Sequence, residues 1–210
     1  MRSSERAQEA LKYGHSATRF DPSDSRAQLC LGWAYAMAGQ HDRAAIHHAL
    51  ASELNENDPW TLLSSALGFA FRSDYRKARE LANRALTLTQ SPNSAQWCYQ
   101  SMIRFLCMDF DDCIEAAKGA EAAPPLAHIF VWKSCALLEM NKPQDAKFAV
   151  ERFYSETASR WFGKVPATRA DMTKWFLQAF PIEKQEEWGR LRDGLARAGA
   201  PTAHISHNAF

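Results

Sequence analysis

Small residues recur along this chain at a nearly constant interval. Ala10, Ala44, Ala78, Cys113 and Ala146 are separated by 34, 34, 35 and 33 residues. The segments between them are rich in alanine and leucine, contain few glycines and prolines, and show no period-two alternation, so they predict helices. Repeats of this length cannot bury an apolar face alone and must stack on one another. The spacing therefore predicts an all-α array of paired helices.

The repeated segments resemble the tetratricopeptide repeat, which has a period near 34 and the pattern W-x2-L-G-x2-Y, then A-x3-F and a closing proline. In the first full repeat, Leu31, Gly32, Tyr35 and Ala44 match the L, G, Y and first A, and His48 stands at the F position. The second repeat matches with a turn that is two residues shorter. The matching residues of the second, third and fourth repeats are Leu67, Gly68, Phe71 and Ala78; Trp97 and Pro125; and Phe130, Ser134, Leu137, Ala146 and Val150.

The resemblance implies an α-solenoid, a right-handed superhelix of helix hairpins. We expect a leading half-repeat and four repeats over residues 1–159, C-terminal capping helices over residues 160–199, and a disordered tail over residues 200–210. The capping helices are predicted from Thr168 to about Ala179 and along an amphipathic segment with Trp188 on its apolar stripe. Glu187, beside that stripe, is predicted to be exposed.

The end of the chain also resembles a particular group of tetratricopeptide regions. "RLRDGLARAGAP" after "WFLQAFPI", together with "LTQSPNSAQWCYQSMIRFLCMDFDDCIEAA", is similar to regions that follow class III adenylate or guanylate cyclase domains, or winged-helix DNA-binding domains, in bacterial regulators. The cyclase metal-binding aspartates and the winged-helix segment are absent from these residues. The resemblance implies a role in bacterial regulation. An alternative is a detached regulatory region of such a cyclase or transcriptional regulator, acting within a larger complex.

A second apolar stripe on the first helix of each repeat predicts where a partner binds. In the first repeat it comprises Cys30, Trp33 and Met37, at positions i, i+3 and i+7. In the family such stripes line the concave groove that holds a peptide or helix, so the resemblance implies a non-enzymatic protein-interaction module. The alternative is that neighbouring repeats or the C-terminal helices cover these side chains. The predicted partner-binding residues are Trp33, Met37, Phe69, Arg72, Tyr99, Met102, Phe105 and Trp132.

The composition argues against several other partners. Lys and Arg number 25 against 24 Asp and Glu, and no basic block stands out, so nucleic acid is not expected to bind. No apolar run reaches the roughly 18 residues of a membrane-spanning helix. The five cysteines lie in helical, apolar contexts without a C-x-x-C pair, which favours reduced core thiols in a cytoplasmic protein. A homodimer is one arrangement that the sequence leaves open.

No sequence motif supports a catalytic reaction, a cofactor or a metal. There is no P-loop, no G-x-S-x-G and no dinucleotide-binding glycine loop. His41, His47 and His48 have no cysteine or carboxylate to complete a recognisable metal site. The acidic group Asp109, Asp111, Asp112 and Glu115 lacks the glycine and the glutamate spacing of a calcium loop. Its position at the start of a predicted helix instead favours an interaction with the helix dipole.

Overall fold

The computed structural model of the protein describes residues 3–121, 126–161 and 165–207. These residues contain eleven α-helices and no strand, which confirms the all-α prediction. The helices are α1 (Ser3–Phe20), α2 (Ser25–Met37), α3 (His41–Leu54), α4 (Pro59–Phe71), α5 (Tyr75–Thr87), α6 (Ser94–Leu106), α7 (Phe110–Glu121), α8 (Ile129–Glu139), α9 (Pro143–Ser159), α10 (Arg169–Leu177) and α11 (Gln185–Arg197). Among the described helices, none is both long enough and apolar enough to span a bilayer.

Four hairpins, α2–α3, α4–α5, α6–α7 and α8–α9, correspond to the four predicted repeats. Each first helix is followed by a residue in the left-handed region of backbone space, a common way for a chain to leave a helix. These residues are Gly39, Ser73, Met108 and Asn141, with φ of 73°, 65°, 65° and 57°. They are separated by 34, 35 and 33 residues, so the turns follow the interval of the small residues.

Four of the five small residues that define the interval are buried where the two helices of a hairpin meet. Ala44, Ala78, Cys113 and Ala146 are at most 4% exposed. Ala10, by contrast, is exposed. In the described part of the chain α1 packs mainly against α2 and has no first helix of its own to cover Ala10. The small residues therefore mark close contact between paired helices.

The second repeat lies in a different register from the one that its letters suggest. The turns after α2 and α4 both comprise three residues, 38–40 and 72–74, so the prediction of a shorter second turn is wrong. Counted from the turns, the counterpart of Gly32 is Ala66 and the counterpart of Tyr35 is Phe69. The Leu67-Gly68 pair is two positions away from the place of its apparent copy in the first repeat.

The contacts among the described residues divide the chain into two units. Unit 1 contains residues 3–91, which form α1 to α5, together with the segment Pro181–Glu183. Unit 2 contains the described residues of 92–180, together with residues 184–207, and so comprises α6 to α11.

The helices that follow the repeats form near their predicted positions. Thr168 caps α10 through a reciprocal pair of hydrogen bonds with Asp171. The prediction for Glu187 is wrong: it is only 7% exposed, and its carboxylate lies 3.6 Å from the guanidinium of Arg190. In the first turn of α11, burial thus extends from the apolar stripe to the neighbouring Glu187.

Two further predictions concern the C-terminal tail and the cysteines. The ring of His207, in the tail that we expected to be disordered, lies 5.4 Å from that of Trp188. Residues 208–210 of that tail, like Pro125, lie outside the described residues. Four of the cysteines are buried, but Cys30 is exposed, so the core prediction is wrong for that thiol.

Candidate partner-binding surface

The turns give a common register for the surface that the first helices present. We call three positions of each first helix, which lie nine, six and two residues before the left-handed residue, its inner-face positions. They are Cys30, Trp33 and Met37 on α2; Ser64, Leu67 and Phe71 on α4; Tyr99, Met102 and Leu106 on α6; and Trp132, Cys135 and Glu139 on α8.

The inner-face positions of α2 are accessible. Cys30 is exposed, Met37 is 38% exposed, and Trp33 is partly buried. The indole Nε1 of Trp33 donates a hydrogen bond of 2.9 Å to Oγ of Ser64, and the ring packs edge-on against Phe71 at 6.1 Å between centroids. Trp33 is therefore held in one orientation while part of its ring stays open to solvent.

On α4 the inner-face positions are closed. Ser64, Leu67 and Phe71 are at most 3% exposed. The backbone N–H of Glu183 donates a hydrogen bond of 3.0 Å to the carbonyl oxygen of Phe71. The segment Pro181–Glu183 of unit 1 is thus held against the end of this helix. Nothing in the repeat pattern signals that contact.

Arg72 and Phe69, both predicted to bind a partner, occupy different surroundings. The Arg72 guanidinium forms an ion pair with Asp42 at the start of α3, and its side chain is about one-third exposed. Phe69 is only 3% exposed and packs between the second helices, with its ring 6.3 Å from that of His48 and Lys77 Nζ 4.6 Å above it. The expectation that Phe69 faces a partner is corrected because, in the true register, it occupies the Tyr35 position.

In unit 2 most of the predicted surface is core. Met102, Phe105 and Trp132 are at most 1% exposed. The rings of Phe176 on α10 and of Phe180 just after it lie 5.7 and 5.4 Å from that of Trp132. For these three residues the expectation of an open surface is corrected.

Residues of the C-terminal helices cover α8 in particular. The thiol of Cys135 lies 3.7 Å from the carbonyl oxygen of Leu191 on α11. Tyr99, on α6, is only partly buried, and burial raises the pKa of its hydroxyl. Of the predicted residues in unit 2, Tyr99 alone keeps an accessible part.

The three clustered histidines do not form a metal site together. His48 is 1% exposed and lies between Gly32 and Gly68, while Nδ1 of His47 is 2.7 Å from Oε1 of Gln28. Burial first, and the neighbouring His47 second, lower the pKa of His48 to about 4. Within the described ranges no three histidine, cysteine or carboxylate side chains converge as metal ligands would. His48 thus packs in the core at the position where the repeat pattern has phenylalanine.

The acidic group at the start of α7 is placed as the sequence predicts. Asp111 and Asp112 lie in the first turn of α7. The buried Arg104 guanidinium lies 3.7 Å from carboxylate oxygens of both Asp109 and Asp112. The carboxylates thus face a helix N-terminus and an arginine, both of which stabilise negative charge.

The folded protein contains cavities that no sequence pattern indicated. One of about 430 Å³ in unit 2 is lined mainly by apolar atoms, including those of Trp161 and Trp175. In unit 1 a cavity of about 360 Å³ is lined by Glu183 and by residues 39–43 of the α2–α3 turn. Both depend on chain segments that come together only in the folded state.

No family model matches the chain, and no curated protein matches it. Solved structures do. A chain of the APC/C hetero-tetramer Cut9-Hcn1 superimposes with a TM-score of 0.65 and 15% identity, over 98% of this chain and 40% of that one. A tetratricopeptide repeat protein from Parabacteroides merdae ATCC 43184 superimposes with a TM-score of 0.61 and 14% identity, over 93% of this chain and 72% of that one. The fold is the tetratricopeptide-repeat α-solenoid. The more specific resemblance to regions of cyclases and winged-helix regulators stays a prediction.

Proposed function

We propose that this protein is a non-enzymatic protein-interaction module and that unit 1 binds a peptide or helix of a partner protein against α2. The observation that supports the proposal is the accessible inner face of α2, formed by Cys30, Trp33 and Met37. The counterparts on α4 are covered, so α2 offers the open part of this face in unit 1.

The accessible residues have chemistry suited to protein binding. Tryptophan and arginine are enriched among the residues that contribute most to interface affinity. Trp33 is fixed by its hydrogen bond to Ser64, so it loses little conformational freedom when a partner covers it. Met37 is flexible and polarisable and can adapt to an apolar anchor. Arg72, held by Asp42, adds a charged group to unit 1.

The cellular setting of this activity is a prediction from the sequence alone. The end of the chain resembles regions of bacterial regulators, which supports a regulatory role in the cytoplasm of a bacterium. Since no cyclase or winged-helix segment lies in these residues, we propose that the module acts by binding.

The test is a comparison of two matched substitutions in unit 1. Met37→Asp places a charge on the inner face of α2, whereas Ile46→Asp places one on α3, where Ile46 is 59% exposed. Proteins captured from a native lysate are quantified by mass spectrometry for both variants and the wild type. We expect the captured partner to fall about tenfold or more with Met37→Asp, the scale of one interface anchor, and to persist with Ile46→Asp.

Two results would contradict the proposal. One is equal capture by both variants and the wild type. The other is loss of capture with Ile46→Asp alone, which would place the partner on α3. Circular dichroism of each variant checks that a loss of capture does not reflect unfolding.

A further inference from the structure

The segment Pro181–Glu183 is a short non-helical stretch that belongs to unit 1, although the helices before and after it, α10 and α11, belong to unit 2. Pro181 and Ile182 are buried, and Ile182 is only 2% exposed. A buried branched aliphatic side chain on a non-helical backbone resembles the way an extended peptide anchors itself in a protein groove.

The backbone contact of this segment has a clear physical reason. The last four carbonyl groups of a helix have no donor within the helix. The carbonyl of Phe71, the final residue of α4, instead accepts the hydrogen bond from the N–H of Glu183. Phe71 is also an inner-face residue, and its ring lies 6.1 Å from that of Trp33, so the segment is close to the face of α2 where a partner is proposed to bind.

The side chain of Glu183 indicates that a sequence bound in this place would end in an acidic residue. Glu183 is exposed and lines the 360 Å³ cavity together with residues 39–43, which include His41, Arg43 and Asp42, the last paired with Arg72. Gly39 in that lining is only two residues from the accessible Met37. The cavity therefore lies beside the end of α2 that carries the accessible Met37.

We propose that Pro181–Glu183 is an internal ligand of unit 1, and that the partner of this unit is an extended peptide with a proline, a branched aliphatic residue and an acidic residue in that order, which binds in its place. This inference rests on the proposed function and specifies the chemistry of the partner. The segment and the partner compete for the same backbone acceptor and the same apolar site.

The competition has a measurable consequence. A tethered segment has an effective concentration that reaches the millimolar range, so a free peptide has to displace it. Weakening the tethered segment should therefore strengthen the binding of a free peptide with the same sequence.

The experiment uses a fluorescent peptide with the sequence AFPIEK, which spans residues 179–184. Its binding to the full chain is measured by fluorescence anisotropy for the wild type and three variants. Ile182→Asp removes the apolar anchor, Glu183→Pro removes the backbone donor, and Lys184→Gln, at an exposed position just outside the segment, is the matched control. We expect binding about tenfold or more tighter to Ile182→Asp and Glu183→Pro than to the wild type and Lys184→Gln. A peptide with aspartate at the isoleucine position should bind none of them.

A second measurement observes the segment directly. In the wild type, the amide proton of Glu183 should exchange slowly with solvent, and millimolar AFPIEK peptide should accelerate its exchange. Circular dichroism checks that each variant is folded, and the two weakening variants act through different groups, so both need not fold for the test to stand.

Equal peptide affinity for all four proteins, or no binding to either weakened variant at millimolar peptide, overturns the inference. If Met37→Asp still abolishes capture of the partner in that case, the proposed function stands and only the partner's chemistry is wrong. If Met37→Asp has no effect on capture and the peptide does bind, the proposed site on α2 is wrong.

Discussion

One histidine side chain fills the space where α2, α3 and α4 come closest. A Cβ atom added to Gly32 would lie 2.9 Å from Nδ1 of His48, and one added to Gly68 would lie closer still to the opposite edge of the ring. The two glycines therefore enclose the same imidazole, which cannot move away from one without approaching the other. At the scale of single residues, the repeat pattern limits the side-chain volume that each of these positions can hold.

This packing predicts that Gly68→Ala destabilises the protein. The added methyl group meets a ring that is held on its other side, and overpacking of this kind costs about 1–3 kcal/mol. Gly189→Ala is the matched control, because Gly189 is also helical but a Cβ there meets nothing within 4 Å. There we expect a gain of about 0.5–1 kcal/mol from helix propensity. Urea denaturation measures both, and equal free energies of unfolding would refute the packing argument.

Burial of His48 also predicts a pH dependence of stability. Its pKa is about 4 in the folded protein and about 6.5 in an unfolded chain. As the pH falls below 6.5 the unfolded state binds the proton first, so the free energy of unfolding decreases until about pH 4. The rings of Trp33 and Phe69 and the neighbouring His47 surround the imidazole.

We therefore expect His48→Phe to lose less stability than the wild type on acidification. The difference should be about 2 kcal/mol between pH 7 and pH 5 in denaturation experiments at both pH values. Part of the pH dependence should remain, because burial lowers the pKa of His128 to about 4 as well. His204→Asn, at an exposed position in the tail, is the control. An unchanged pH dependence in His48→Phe would show that His48 is not the responsible group.

At the scale of the helices, the turns are the most regular feature of the chain. Each of the four first helices ends before a residue with φ between 57° and 73°, but only Gly39 is a glycine. Other residues pay about 1–2 kcal/mol for this left-handed conformation. Asn141 tolerates this conformation better than most residues, so Ser73 and Met108 mark the positions where the fold imposes the turn on less suitable residues.

We expect Met108→Gly to stabilise the protein by about 0.5–1 kcal/mol. Glycine relieves the left-handed strain, while its greater freedom in the unfolded chain offsets part of the gain. Met108 is 50% exposed, so little apolar contact is lost. The reverse change, Gly39→Ala, should destabilise by about 1 kcal/mol. Thermal unfolding compares the two, and a fall in melting temperature for Met108→Gly would contradict the interpretation.

The sequence was a good guide to the helices and a poor one to their surfaces. Spacing alone predicted the hairpins, because burial of small residues such as Ala44 and Ala78 is a local requirement of paired helices. The register of the second repeat was wrong because Leu67-Gly68 copies the letters of Leu31-Gly32 at a position two residues away. For Trp132 the alternative of cover by the C-terminal helices is the one that the structure shows, but the repeat pattern did not indicate the covering residues, Phe176 of α10 and Phe180 just after that helix.

At the scale of the whole molecule, the two units differ in what covers their inner-face positions. In unit 2 the side chains of α8 are enclosed by residues of α10 and α11. In unit 1 a three-residue segment lies at the end of α4, while the inner face of α2 remains accessible. The same repeat thus yields a closed core in one unit and an available surface in the other.

This difference predicts an uneven distribution of local stability. In repeat proteins each element is stabilised mainly by its neighbours. Helix α8 packs against α6, α7, α9 and α11, whereas α1 packs mainly against α2 and exposes Tyr13 and Phe20. We expect α1 to open at a much lower free energy than α8, and its amides to exchange first.

Native-state hydrogen exchange followed by mass spectrometry measures this order directly. Peptides from α1 should exchange earliest and those from α8 last, with α2 between them. Tyr13→Ala, which removes an exposed side chain, should leave the order unchanged. Trp132→Phe should speed exchange in α8, since the smaller ring leaves a gap beneath Phe176 and Phe180. Equal protection of α1 and α8 would mean that neighbour contacts do not set the local stability of this solenoid.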